Sequence, residues 1–286
     1  MSAFERLIKF RAKDDGKVYF ANVGVGLQIA AGLGVTAFQS LADLESNSRS
    51  QEATLLAPVP HENVPIYCVG LNYRSHATEA KLSTPSYPPL WTKPATALAN
   101  PNEDIGVNQF CASSLPDYEG ELVFVTSREC KNISVKDAPS YILGYTVGND
   151  LSCRFFQLPK NSGGQFFFAK AFDKFAPIGP VLVSPEQYEV AAKGRKLTTR
   201  VNGSVVQNVE IAKDMIFSPA QILSHMSQGT TIPAGTAVMT GTPAGVGAFR
   251  SPKSFLKDGD VVEVEIGGIG VLKNTMRFQG GGSARI

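Results

Sequence analysis

Two short apolar-rich runs, residues 6–12 and 17–23, flank Asp14-Asp15-Gly16. A turn signal between two strand-length segments predicts a β-hairpin. Residues 45–52 (ESNSRSQE) carry no periodic apolar face, which places them in a loop or at the exposed end of a helix begun near Ala37. Pro58, Pro60 and Pro65 then suit an extended linker over 55–65, because proline locks φ and bars its predecessor from the helical region. The texture changes beyond Pro65. Residues 66–70 have the length and composition of a buried strand, 73–81 read as a helix, and 84–94, with four prolines, as a loop. Short β-branched runs follow at 121–126, 145–147, 180–183, 197–201, 236–240 and 261–266, punctuated by Asn202-Gly203 and Asp258-Gly259. Pro219–Met226 is one amphipathic helix, with Ile222, Leu223 and Met226 on a single face. The pattern predicts a mostly antiparallel β protein with a few helices, class α+β. It also divides the chain into a small N-terminal unit, residues 1–60, and a larger domain, 65–280.

Composition narrows the function classes. A chain of 286 residues that is 43% hydrophobic can bury a substantial core in one or two domains. With 27 basic against 25 acidic residues there is no charge excess to drive binding to nucleic acid or an anionic membrane. The four cysteines, Cys68, Cys111, Cys130 and Cys153, form no C-x-x-C pair, so they are expected to be reduced packing residues. Glu5, Arg6 and Lys9 interrupt the stretch where a secretory signal would need an apolar core, and no apolar run reaches membrane-spanning length. The terminal Ala284-Arg285-Ile286 does not match a Ser-Lys-Leu address. A soluble, cytoplasmic protein is the expectation.

Candidate chemistry concentrates in four segments. In DYEGELVFVT (117–126), strand alternation puts Glu119 and Glu121 on one face, where two carboxylates repel unless a positive group lies between them. A hard divalent cation is one solution, and a solvated edge strand is the other. Asp150 ends the apolar run 142–150, where it caps a turn or adds a third carboxylate. If 150–157 (DLSCRFFQ) is helical, Asp150, Arg154 and Gln157 share a face, with Arg154 supplying a planar fork for an anion. In GLNYRSHATEA (70–80), His76 and Glu79 are helical neighbours; such a carboxylate fixes the tautomer and strengthens the ring as a base, or merely decorates a surface. Lys170 sits within FFFAKAFDKF (166–175), where its ammonium either meets a negative group or snorkels to water. TGTPAGVGAF (240–249) lacks the lysine of a P-loop and suits close backbone approach or a tight turn. His61 and His225 suggest no role.

Together these segments, with WTKP (91–94) and VNGSVVQ (201–207), resemble the fumarylacetoacetate hydrolase family in its acylpyruvase-like and oxaloacetate-decarboxylase-like branch, from about Ile66 to Met276. The resemblance implies a mixed β-sandwich or β-roll behind a small N-terminal β-rich domain, usually as a homodimer. It implies Mg²⁺ (or Mn²⁺) on Glu119, Glu121 and Asp150, a water-activating dyad of His76 and Glu79, and a catalytic Lys170. Substrate contacts would fall to Arg154, Gln157 and Thr242. The expected activity is C–C hydrolysis of a 2,4-dioxo acid such as an acylpyruvate or fumarylpyruvate, with oxaloacetate decarboxylation as a related outcome. Isomerisation, tautomerisation or a biosynthetic ring closure at the same site is the alternative enzyme reading, and a non-catalytic metal-stabilised binding protein is the alternative outside enzymes. Trp91 stands where relatives usually carry phenylalanine, which bears on the substrate side-chain pocket.

Overall fold

The computed structural model describes residues 4–13, 15–24, 37–44, 53–59, 61–190 and 194–280. Asp14 of the expected turn, the polar stretch 45–52 and the terminal tripeptide lie outside the described residues. The hairpin strands are β1 (Arg6–Ala12) and β2 (Val18–Asn22), followed by β3 (Ala53–Leu56), β4 (Ile66–Val69), β5 (Leu90–Lys93), β6 (Leu98–Ala99) and β7 (Asp104–Val107). The central strands are β8 (Pro116–Asp117), β9 (Gly120–Thr126), β10 (Ile142–Asn149), β11 (Ser152–Cys153) and β12 (Ala176–Val183). The chain closes with β13 (Lys196–Val201), β14 (Ser204–Glu210), β15 (Ala237–Met239), β16 (Val261–Ile266) and β17 (Gly270–Phe278).

Most of these strands build two sheets. The larger has ten strands in the order β2-β1-β12-β10-β9-β15-β4-β5, with β3 on β1 and β6 on β12; the smaller runs β14-β13-β16-β17-β7. Pairing is antiparallel except at β15–β4, β12–β6 and β17–β7. The mostly β, α+β architecture expected from the sequence is what the chain adopts. The first-sixty-residue strands reach the large sheet through β1, which hydrogen-bonds β12 at Arg6↔Val183 and Leu7↔Leu182.

Local sequence explains the turns and caps. Asn202 and Gly203 both take positive φ, 51° and 79°, which closes the β13–β14 hairpin. The helix Pro219–Met226 starts from a Ser218–Gln221 capping box and buries Ile222, Leu223 and Met226. The proline-rich segment 84–94 is not all loop: Leu90–Lys93 forms β5, paired with β4. Four prolines hide a strand that needs only one hydrogen-bonded side, because β5 is the sheet edge. Residues 150–157 are not one helix either. They run from the end of β10 through β11 into a 3₁₀ turn, Arg154–Gln157, because β8 captures Ser152 and Cys153 as a two-residue ladder.

The two sheets approach closely at the start of β9. A Cβ on Gly120 would lie 2.1 Å from Thr199 Oγ1 and 3.0 Å from Val264 Cγ1, both on the smaller sheet. Only glycine allows this, so the residue between Glu119 and Glu121 fixes how deep that pair sits. Gly120→Ala should therefore lose about 1–3 kcal/mol of stability through overpacking, measured by urea unfolding. An unchanged midpoint would mean that the sheets have slack there.

Candidate active site

The ends of β9 and β10 bring three carboxylates together. Glu119 immediately precedes β9, its backbone N–H donating to Asn149 Oδ1 at 3.0 Å, and its carbonyl accepts from the Asp150 N–H at 2.9 Å. Glu119, Glu121 and Asp150 each place an oxygen within 4.8 Å of the others, and all three are buried. The solvated-edge alternative is thereby removed. Val123 and Val125, on the same face as Glu121, continue into the apolar core with Met239 and Ile178.

Cations surround this cluster. Lys170 Nζ, 1% exposed, donates to Glu119 Oε2 at 2.9 Å and Asp150 Oδ2 at 2.5 Å. It is not snorkelling. Arg154 extends Nε to Asp117 Oδ2 at 2.7 Å and Nη1 to Glu119 Oε1 at 2.6 Å and Gln157 Oε1 at 2.8 Å. Lys93, fully buried, sits 2.5 Å from Asp150 Oδ1 and donates to the carbonyls of Leu151 (3.2 Å) and Phe175 (2.5 Å).

These partners divide the carboxylates sharply. Burial alone would raise Glu119, but Lys170, Arg154 and His76 outweigh it and hold its pKa at about 2. Glu121 goes the other way: burial, then the charges of Asp150 and Glu119, push its pKa well above the carboxylate range. It accepts one hydrogen bond, from the Gly241 N–H to Oε2 at 2.7 Å, while Oε1 is buried with no partner. Asp150 and Glu119 hold the Lys170 ammonium above its ordinary range against the opposing effect of burial. An all-oxygen donor set with one orphaned, charge-starved oxygen fits a hard divalent cation.

The dyad residues lie on the helix Arg74–Ala80, where His76 Nδ1 is 2.7 Å from Glu79 Oε1. Both side chains are partly exposed, at 14% and 20%. The helix is pinned on two sides. Ser75 bonds the Asp214 carboxylate through its N–H and hydroxyl, and Glu79 Oε2 accepts from the Gly245 N–H at 3.0 Å.

That second anchor belongs to the small-residue loop 240–248, whose amides serve the carboxylates. Besides Gly241 and Gly245, the N–H groups of Gly247 and Ala248 donate to Asp117 at 2.8 and 2.9 Å. A Cβ on Gly245 would come 2.0 Å from the Val206 carbonyl, so this approach needs glycine. Thr242 turns its hydroxyl inward, donating to the Gly120 carbonyl at 3.0 Å and accepting from Gln207 Nε2 at 2.8 Å.

The structure thus gathers Glu119, Glu121, Asp150, Lys170, Arg154 and Gln157 into one connected cluster. It sets His76 and Glu79 beside it, on a helix tied to the loop that also serves Glu121 and Asp117. Arg154 shares contacts with Gln157 but not with Asp150, since the segment between is strand and 3₁₀ turn. Sequence reasoning missed Lys93 and Asp117. Lys93 lies in a proline-rich segment, and its role needs the β4–β5 pairing to be known. Asp117 carried a visible signal, as a third acid beside E-x-E in DYEGEL.

A mixed-β fold holding a buried acidic triad beside a His–Glu pair defines a class of enzyme scaffold. A family model of the fumarylacetoacetate hydrolase C-terminal domain matches residues 65–277, and the chain belongs to that family. Among similar proteins, a mitochondrial oxaloacetate tautomerase of Xenopus laevis is 37% identical over 85% of this chain and 75% of its own length. Caffeoylpyruvate hydrolase of Neonothopanus nambi is 36% identical over 96% of this chain and 94% of its own. The crystal structure of a 2-hydroxyhepta-2,4-diene-1,7-dioate isomerase from Mycobacterium marinum superposes with a TM-score of 0.77 at 32% identity, covering 97% of this chain and all of the other. These relatives are thus named as a tautomerase, a hydrolase and an isomerase. No helix among the described residues is long and apolar enough to cross a membrane, and all four cysteines are free and buried.

Two outcomes follow from this electrostatics. A carboxyl whose pKa is raised by folding penalises the folded state as pH climbs above its unfolded value, so the Glu121 penalty is present at neutral pH. Glu121→Gln should raise the melting temperature of chelated protein at pH 7.5 and abolish the further rise on adding Mg²⁺. The unmutated chain at a hundredfold excess over Kd should gain about 2.7 kcal/mol. A wild-type melting temperature indifferent to EDTA and Mg²⁺ would refute the cation site. The two lysines should also differ. Lys170→Met leaves Glu119 with Arg154 and Asp150 with Lys93, whereas Lys93→Met strands two carbonyls as well as thinning the charge on Asp150. Urea unfolding should show a loss of about 3–5 kcal/mol for Lys93→Met and a smaller one for Lys170→Met. The reverse order would overturn this division.

Proposed function

We propose that the chain is a Mg²⁺- or Mn²⁺-dependent hydrolase cleaving the C–C bond of a 2,4-dioxo acid of the acylpyruvate type. The carrying observation is the His76–Glu79 pair, 2.7 Å apart, on a helix anchored to the loop that donates to Glu121. The full-length similarity to a hydrolase of caffeoylpyruvate supports the same reading.

A divalent cation held by Glu119, Glu121 and Asp150 would chelate the 2-oxo carboxylate end of the substrate and draw electron density from its keto oxygen. The remaining steps belong to the chain's own groups. Lys170 and Arg154 hold negative charge on the substrate, the buried ammonium and guanidinium acting at low dielectric. His76 takes a proton from water, and Glu79 fixes the ring and supports the imidazolium that forms. The hydroxide adds to the distal carbonyl carbon. The bond to the methylene carbon breaks, and its electron pair leaves with pyruvate as the enolate. His76 returns its proton to that carbon, giving pyruvate and the acid of the acyl group.

Oxaloacetate tautomerisation is the second reading, favoured by the Xenopus relative and by a dyad equally suited to moving a carbon-bound proton. It needs no attacking water. Turnover of acylpyruvates in H₂¹⁸O with Mg²⁺ should place one ¹⁸O in the released acid by mass spectrometry. Interconversion of enol and keto oxaloacetate without cleavage of any acylpyruvate would select the tautomerase. Turnover of neither would leave a binding protein.

Loss of the base should cost the hydrolysis specifically. His76→Ala should lower acylpyruvate cleavage by about 10²–10⁴-fold, with Mg²⁺ affinity held near wild type by calorimetry. A proportional loss of Mg²⁺ binding would mean that His76 maintains the site's structure instead.

A further inference from the structure

The acidic centre has an aromatic flank that the mechanism leaves unused. Trp91, on β5, presents its ring 5.1 Å from Lys170 Nζ, the same ammonium that contacts Glu119 and Asp150. The indole is partly exposed and meets Phe166 edge-on, with centroids 5.7 Å apart and planes at 89°. Phe166 is itself exposed, as is Phe249, which stands edge-on to His76 at 5.8 Å. Gly70 creates the space for the indole: a Cβ there would lie 3.0 Å from Trp91 Cζ3.

We propose that Trp91 and Phe166 form the acyl subsite and select a flat, uncharged aromatic acyl group. This rests on the 2,4-dioxo-acid reading above. The argument is positional. Lys170 marks where substrate charge sits, so whatever continues from the reacting carbons beside it runs along the Trp91 face. Neither Trp91 nor Phe166 carries a charge to pair with a second carboxylate, so a dicarboxylic acyl group would lose solvation there without recompense. An aryl ring instead stacks on the indole and meets the edge of Phe166, covering apolar surface that is otherwise wet. Trp91 and Phe166 act as specificity residues, and the proton transfers remain with His76.

Trp91 is the protein's single tryptophan, so occupancy can be read without turnover. The Mg²⁺-loaded chain is titrated with 2-oxo-4-phenylbutanoate and with 2-oxobutanoate, which lack the cleavable 1,3-dicarbonyl, while tryptophan emission is followed. In parallel, kcat/KM is compared for benzoylpyruvate and acetylpyruvate in wild type, Trp91→Phe, Trp91→Ala and Phe166→Ala. The expected results are an emission change with the phenyl ligand at least tenfold tighter, and a wild-type preference for benzoylpyruvate. Trp91→Ala should reduce that preference by about 10–100-fold, mainly through KM, with Trp91→Phe and Phe166→Ala losing less. Phe166 is exposed, so its truncation keeps the test valid if Trp91→Ala does not fold. Cleavage with equal kcat/KM for both substrates would overturn the subsite and leave the hydrolase reading standing. Tight phenyl-selective binding without cleavage would do the opposite. Emission unchanged by either ligand at saturation would also overturn the subsite.

Discussion

Four carboxylates and three cations share one buried site, and most of the architecture around them exists to hold that arrangement. Asp117, Glu119, Glu121 and Asp150 face Lys93, Lys170 and Arg154, all of them at or near complete burial. Charges removed from water are tolerated only when each finds partners in good geometry. Lys93 satisfies this entirely within the protein, between Asp150 and two carbonyls. Glu121 does not, since one oxygen has no partner and the nearest charges are negative. The cluster is therefore short of positive charge at one defined place, with one carboxylate more than its cations.

The backbone supplies what side chains cannot. The loop 240–248 consists mostly of small residues, so its amides approach Glu121, Glu79 and Asp117 without a side chain in the way. One loop thereby contacts a carboxylate of the acidic triad, the acid of the His76–Glu79 pair and the partner of Arg154. Moving it would disturb all three together. Gly120 has the matching part on the other side, where its missing side chain lets β9 sink against Thr199 and Val264. The fold thereby sets the small-residue loop against the acids on one side and lets Gly120 pack β9 against the smaller sheet on the other.

Much of this was legible in the sequence. Alternation in a strand put Glu119 and Glu121 together, helical spacing put His76 beside Glu79, and apolar surroundings demanded an anion for Lys170. Each of these is a local rule with a local outcome. The misses are tertiary. β5 was concealed by its prolines because an edge strand needs only half its hydrogen bonds, and with it went the position of Lys93. A helix over 150–157 would put Arg154 on one face with Asp150, yet pairing with β8 draws Ser152 and Cys153 into a strand and turns the guanidinium toward Asp117. No periodicity in 150–157 encodes that, because the partner lies more than thirty residues upstream.

Relatives named for hydrolysis, tautomerisation and isomerisation share this scaffold, and the division of labour in the site shows why that is chemically economical. In the proposed hydrolysis and in tautomerisation alike, the methylene carbon of a 2-oxo acid comes to carry negative charge, which the buried cluster is placed to stabilise. They differ in whether a water must first add to the neighbouring carbonyl carbon, and in what the rest of the substrate rests upon. On the proposed reading those differences lie with residues outside the charged core: His76 and Glu79 on a partly exposed helix, and Trp91 and Phe166 on a sheet edge and a helix N-cap. None of these four forms a salt bridge with the buried lysines or arginine, although His76 helps to lower the Glu119 pKa and the Trp91 ring lies 5.1 Å from the Lys170 ammonium. A core fixed by mutual salt bridges, with a rim bound to it only by weaker contacts, is how one buried arrangement can support several reactions.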